Sequence, residues 1–228
     1  MKVTKAQATE NREAIEKAAA ALVRERGFDQ TSVGAVAAAA GLTHGALYSH
    51  YGSKEALATA ATNRAFQDTL EAFAGLSATE FFQRYLSAAH RDHPQFGCPN
   101  AALVSEVWRQ SVATREAFHD GVKRYVQLIA KLLETEDEAQ DRATAVTMLA
   151  AMVGAVALSR AIKDVDLAYS DEILNDVGIE LVRFTEEREH AGDNDSSRAT
   201  DARAGSSVSE RPVLRAKRGA RAASSRRK

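Results

Sequence analysis

The chain is expected to fold entirely into α-helices, as a three-helix unit at the N-terminus followed by a larger helical bundle. Alanine, the best helix former, recurs throughout, and only three prolines interrupt 228 residues. Apolar residues recur at i, i+3 and i+4 rather than at every second position. Ser, Thr and Gly stand at the ends of those periodic stretches, where helix caps belong. A 45% hydrophobic share is enough for a substantial core in one or two domains.

The first helix is expected over residues 10–26, with Ile15, Ala18, Ala19 and Leu22 on its apolar face and Gly27 ending it. Phe28 then plugs the small core shared with the next two helices. Thr31 and Ser32 open a second, short helix whose Val33, Val36 and Ala37 make one face apolar. Gly41 stops it, Leu42 fills the turn, Thr43 caps again, and HGALYSHY starts a third helix. Two short helices joined by a tight turn containing Gly form a helix-turn-helix, whose second helix can lie in the DNA major groove. Ser53 caps a fourth helix, with Glu55 in the first turn where the helix dipole favours an acid. Its apolar spacing runs Leu57, Ala61, Phe66, Leu70, Phe73, and Gly75 terminates it.

A fifth helix is expected over 79–91, then a loop, HRDHPQFGCP, marked by Pro94, Gly97 and Pro99. The sixth covers 99–110, with proline in its first turn. Thr114 and Glu116 signal the start of the seventh, whose face reads Phe118, Val122, Tyr125, Ile129, Leu132; the acidic ETEDEAQD is a turn. The eighth, over 139–162, carries two apolar rows: Val146, Leu149, Val153, Val156, and the smaller Ala150, Gly154, Ala157, Ala161. The ninth, over 171–188, presents Leu174, Val177, Leu181 and Phe184. A helix apolar on two sides must bury both. A homodimer through helices eight and nine, closing a four-helix interface, is therefore expected, with an ordinary buried helix in a monomer as the alternative.

No run approaches the roughly 18–20 apolar residues of a membrane span, and MKVTKAQATE lacks the apolar core of a signal peptide. The expectation is a cytoplasmic protein with no membrane partner. The single cysteine, Cys98, excludes an intrachain disulfide. Residues 56–192 carry 13 Lys+Arg against 21 Asp+Glu, residues 1–55 carry 7 against 6, and residues 193–228 carry 10 against 4. An acidic body confines any DNA contact to the ends. Beyond His190 periodicity and apolar content vanish, so disorder is expected. RPVLRAKRGARAASSRRK then reads either as a salt-sensitive, non-specific DNA-binding tail or as a solvated one. The expected domains are 1–54, a helix-turn-helix head; 55–190, a helical body; and 191–228, a basic tail.

From the first helix through Lys54 the pattern resembles the tetracycline-repressor (TetR) family of bacterial one-component regulators. GF at 27–28, TSVGAVAAAAGLTHGALYSHYGSKEAL at 31–57, and above all LYSHY followed by SKE carry the resemblance. FGCPNAALVSEV is also similar to a branch of the family with Gly-Cys at the start of the sixth helix. The resemblance implies an all-α protein with a helix-turn-helix DNA-binding domain and a C-terminal bundle for dimerisation and ligand binding. It implies that Thr43, His44 and Gly45, at the recognition-helix start, touch base edges, and that Tyr48, Ser49 and His50 reach sugar or phosphate. Lys54 falls where a family lysine contacts phosphate, and Thr31 and Ser32 join the candidate DNA-binding set. His and Thr can bond base edges, while Tyr, Ser and Lys can bond phosphate without reading sequence. Gly34 replaces the frequent polar residue of the second helix, and His44 stands in a recognition helix that lacks the common lysine or arginine.

The implied function is that of a repressor binding a double-stranded DNA operator as a homodimer and released by a small-molecule inducer, an electrophile being one option. Candidate pocket residues are Cys98, Trp108, Phe66 and Tyr125; Trp108 stands out because its N–H seeks a polar partner, whereas helically spaced aromatics also serve as plain core. The rival reading is a helical enzyme or a thiol- or metal-dependent sensor using His90, His93 and Cys98, with Asp92 beside them. No catalytic base with an orienting partner, no phosphate loop and no second ligand cluster accompanies those residues. No enzyme activity, metal or cofactor is therefore expected.

Overall fold

In the structure, a computed structural model that describes residues 4–133 and 137–204, every regular element among the described residues is a helix. Residues Met1–Arg188 form one compact unit and Glu189–Lys228 a second; the first is described here.

Helix α1, Lys5–Gln30, starts at Thr4, whose hydroxyl accepts from the Gln7 amide. It breaks at Gly27, where φ 80 and ψ 173 lie in a region essentially restricted to glycine. Beyond the break Phe28 is buried in the core, as its position between three helices requires. Helix α2 is Val33–Ala39 and α3 is His44–His50. Helix α4, Lys54–Phe73, is capped by Ser53 and links the three-helix head to the body. The chain reverses at Gly75, φ 79.

The expected fifth helix is two: α5, Ala78–Tyr85, and α6, Ala88–Asp92. Ser87 divides them because its hydroxyl accepts from the His90 amide and starts a new helix inside a stretch whose periodicity looks continuous. The expected sixth helix also stops early. Helix α7 covers only Pro99–Leu103, and the backbone resumes as a 3₁₀ turn at Val107–Arg109. Helix α8 is Val112–Leu133, α9 Glu138–Ile162 and α10 Leu167–Ala204. The acidic turn's residues 134–136 lie outside the described residues, but Asp137 caps α9 by accepting from the Gln140 amide.

The run to Ala204 departs from the expected disorder after His190. A helix already nucleated extends at far lower cost than one that must start afresh, and residues 191–204 contain no proline. Residues 205–228, with the basic run, lie outside the described residues.

The core of the body is aromatic. Phe66 meets Phe118 at 5.4 Å and Tyr125 at 6.0 Å, and Phe73 meets Phe81 at 5.0 Å, edge to face in each case. Gly121 of α8 lets α4 approach closely, since a Cβ there would run into the Phe66 ring. Helix α9 buries Ala145, Met148, Leu149, Met152, Ala155 and Val156. By length and composition it could cross a membrane, which corrects the expectation that no run is long enough. Its large apolar residues are interspersed with Ala, Gly, Ser and Thr, which conceals the length of the stretch. Val146 and Leu158 of α9, and Ile179 and Phe184 of α10, remain exposed.

Candidate functional site

The head is held together by local caps and one contact across it. Ser32, Thr43 and Ser53 accept from the amides of Ala35, Ala46 and Ala56, the third residue of each helix they open. Gly41, at φ 69, makes the turn between α2 and α3. Val36, Ala37 and Leu47 are buried; Ala46 and His50 of α3 are half-buried and its other residues are exposed. Tyr51 closes α3 and donates to the Glu16 carboxylate of α1 at 2.5 Å, while Arg12 pairs with the same oxygen at 2.9 Å. Burial works against the Glu16 charge, but the bonds from Tyr51 and Arg12 outweigh it and hold the carboxyl below its ordinary range.

On the outward face of α3 stand His44, Gly45, Tyr48 and Ser49, with Thr43 before them and Lys54 at the start of α4, all exposed; His50 is half-buried. His44 and Tyr48 lie one turn apart, their rings edge to face at 5.0 Å. Ser49 spends its hydrogen on the Ala46 carbonyl at 2.6 Å, leaving its oxygen as an acceptor. Ser32 is exposed beside Gly34, which opens toward the His44 ring. Thr31 differs from the expected set. It is buried, and its hydroxyl donates to the Gly27 carbonyl at 2.7 Å, closing the broken end of α1. Its side chain is a structural lock rather than a DNA ligand.

The rival constellation is resolved by its hydrogen bonds. His90 presents Nδ1 to the Tyr85 carbonyl at 2.6 Å, and its Nε2 accepts from the Cys98 amide at 2.8 Å. Both ring nitrogens are committed, so the ring is a neutral brace holding the loop from His93 to Cys98 onto α6. Burial, the largest influence, lowers its pKa to about 4. Arg24 of α1 donates to the Gly97 carbonyl at 3.0 Å, and Arg160 of α9 donates to the carbonyls of His90 at 2.8 Å and Arg91 at 3.0 Å. His93 is exposed, and among the described residues no three His, Cys, Asp or Glu side chains gather as a ligand set. Cys98 is fully buried, which suits an inert thiol better than a reactive one.

Of the candidate pocket residues, Phe66 and Tyr125 are fully buried in the aromatic core and Cys98 lies at the start of α7. Trp108 is 65% exposed, its N–H donating to the Ser105 carbonyl at 3.0 Å. The polar partner it seeks is on the surface, which removes it from the interior set. A cleft of about 260 Å³ opens instead between α4, α5 and the loop before α7, lined by residues that include Thr69, Phe73, Arg84, His90 and Phe96.

Sequence reasoning missed Glu106. Its carboxylate accepts from the Phe28 amide at 2.9 Å and occupies the space a Cβ on Gly27 would need. Nothing near it in sequence marks an acid that works across such a separation.

Residues 15–61 match the family model of bacterial regulatory proteins, tetR family, and residues 74–167 match that of the transcriptional regulator LmrA/YxaF-like C-terminal domain. The two together cover more than half of the chain. The HTH-type transcriptional repressor BepR of Brucella suis is 36% identical over 97 residues, a match spanning 41% of this chain and 39% of that repressor. Among solved structures, a TetR-family regulator of Cytophaga hutchinsonii aligns at TM-score 0.63 and 22% identity over 80% of this chain and 97% of its own. Reduced NemR of Escherichia coli aligns at 0.62 and 19% over 75% and 94%. A TetR regulator of Chloroflexus aurantiacus aligns at 0.62 and 25% over 78% and 96%.

Proposed function

Because the chain belongs to the TetR family of bacterial regulatory proteins, we propose that it is a dimeric repressor in the bacterial cytoplasm, released from a double-stranded DNA operator by a small molecule that enters its helical body. The observation that carries this reading is the outward face of α3. Thr43, His44 and Gly45 offer base-edge contacts, and Tyr48, Ser49, His50 and Lys54 offer phosphate contacts, on a helix whose opposite side is buried. The head spans 1–54 and the body 55–190. The exposed apolar residues of α9 and α10, Val146, Leu158 and Ile179 among them, favour a homodimer through these two helices. That interface would set two recognition helices about 34–36 Å apart, one DNA turn.

A gel shift on the gene's own upstream DNA at low salt tests the reading. Tyr48→Ala is expected to weaken binding across sequences, and His44→Ala to change sequence preference. Absence of any shift removes the regulator reading, and equal effects of the two variants remove the division of roles.

A further inference from the structure

The cleft of about 260 Å³ between α4, α5 and the loop before α7 is walled by basic side chains and aromatic rings. Arg84, His90, His93, Phe73 and Phe96 line it, and no Asp or Glu of the described residues does. Its sign is opposite to that of the chain around it, since residues 56–192 carry 13 Lys+Arg against 21 Asp+Glu. The acid beside it in sequence, Asp92, is held by Arg91 at 3.0 Å and Lys163 at 3.2 Å. An acid-free recess in an acidic body is a place where negative charge is tolerated.

Arg84, in the last turn of α5, is fixed on the wall of that recess. Its Nη1 donates to the Ala72 carbonyl at 3.0 Å, and its guanidinium lies 5.7 Å from the centre of the Phe73 ring; Ala72 and Phe73 both line the cleft. The bond serves a free carbonyl at the end of α4, but it uses one of five guanidinium donors. No carboxylate of the described residues pairs with Arg84. Beneath the cleft's Gly97, Arg24 donates to the Gly97 carbonyl, and Arg160 comes within 3.1 Å of the point where a Cβ on Gly97 would stand. Of these two cations Arg24 has Asp68 at 3.8 Å, and Arg160 pairs with no carboxylate of the described residues. Phe96, 73% exposed, offers an open ring face on the same cleft.

We infer that this cleft takes a compact aromatic carboxylate, its ring against Phe73 and Phe96 and its carboxylate held by the free donors of Arg84. A planar guanidinium fork matches a carboxylate in shape as well as in charge. A cation would meet three arginines and no acid, and a neutral isostere would fill the same space without engaging the charge. The volume stands just below the range of about 300–1,000 Å³ usual for ligand pockets, which suits one or two rings. The inference rests on the reading that the body takes a small molecule, not on operator release.

Calorimetric titration of the full chain at pH 7 with benzoate and 2-naphthoate, against benzyl alcohol and 2-naphthalenemethanol, tests it. At least one acid is expected to bind once per protomer, about fivefold or more tighter than its alcohol, a modest ratio because Arg84 is open to water. Added salt should weaken the acid and leave the alcohol unchanged. Arg84→Gln keeps an amide donor for the Ala72 carbonyl and removes the charge, so the preference for the acid should disappear while the alcohol binds as before. Ala89→Glu sets a carboxylate at an exposed position of the cleft, in the first turn of α6 where an acid suits the helix, and should abolish the same preference. If Arg84→Gln does not fold, Ala89→Glu decides. No binding by either acid, equal affinity for acid and alcohol, or a preference that survives the substitutions overturns the assignment. A gel shift in the presence of the acid separates the two readings: selective acid binding with unchanged operator affinity leaves the site standing and refutes release.

Discussion

The contact between Glu106 and the broken end of α1 gives a sharp test of how head and body are joined. Glu106→Ala removes the acceptor of a part-buried Phe28 amide held at 2.9 Å. A lost bond to a charged group that orphans a donor costs about 1–3 kcal/mol, and partial solvent access at this site favours the lower half of that range. Gly27→Ala acts on the same place from the other side. It forces a side chain into φ 80, ψ 173, at a cost of order 1–3 kcal/mol, and its methyl evicts the Glu106 carboxylate. The carboxylate is the end of a flexible side chain, so it swings away and forfeits the Phe28 bond rather than distorting the backbone. The bond is then lost in both single variants. Glu106→Ala is therefore expected to cost about 1–2 kcal/mol in the wild-type background and close to nothing in Gly27→Ala. Urea denaturation of the four proteins, analysed as a double-mutant cycle, measures this. Costs that add to within about 0.5 kcal/mol would show that the two groups do not share one interaction.

Three further outcomes follow from named contacts. Gly121→Ala, a change that ordinarily stabilises a helix interior by about 0.5–1 kcal/mol, is expected to destabilise by about 1–3 kcal/mol because the methyl runs into the Phe66 ring; a raised melting temperature would refute the close α4–α8 approach. His90, lowered to about 4 from 6.5, binds its proton more readily unfolded than folded. Its contribution is intact above pH 6.5 and is lost as pH falls toward 4, on the order of 3 kcal/mol at the limit. Denaturation midpoints across pH 4–7 should show this slope, and His90→Gln should flatten it. Tyr51→Phe removes the donor to Glu16 and is expected to cost about 1–2 kcal/mol while weakening operator binding; unchanged DNA affinity at lower stability would mean that α3 does not depend on this tie.

What was legible in the sequence is what is local in space. Ser32, Thr43 and Ser53 each cap a helix within three residues, and Gly27, Gly41 and Gly75 each take a positive φ where a stretch ends. The head, built almost wholly of such signals, was readable to within a residue or two at most boundaries. The body was less so. Ser87 restarts a helix in the middle of a continuous apolar period, and nothing in the period announces it. His90 looked like a ligand because its residue type is versatile; the Cys98 amide and Tyr85 carbonyl that occupy its nitrogens come from the backbone, which carries no sequence label. Thr31 looked like a cap facing DNA, whereas a backbone break four residues upstream claims its hydroxyl. Long-range partners of this kind, Arg24 with Gly97 and Glu106 with Phe28, decide which polar residues are buried.

On the proposed function, those two partners would carry the effect of a ligand in the body to the head. Helix α7 is only five residues long, yet both of its flanks are fastened to the end of α1: Gly97 accepts from Arg24 before it, and Glu106 accepts from the Phe28 amide after it. Arg24 stands just before the Gly27 break and Phe28 just after it, and the same α1 carries Glu16, to which Tyr51 ties the end of the recognition helix. Cys98, the residue that opens α7, is held by its own amide, which donates to the buried His90 ring. On that reading, a ligand entering the cleft beside Phe96 and Gly97 presses on the loop before α7 and hence on one flank of a very short helix. A five-residue helix cannot absorb the displacement by bending, so either it moves as a body, carrying α1 with it, or one of its two anchors breaks. Each anchor is worth about 1–2 kcal/mol, and coupling between distant sites is typically 1–3 kcal/mol. Loss of a single anchor is therefore sufficient to change operator affinity about tenfold, and no separate hinge is needed.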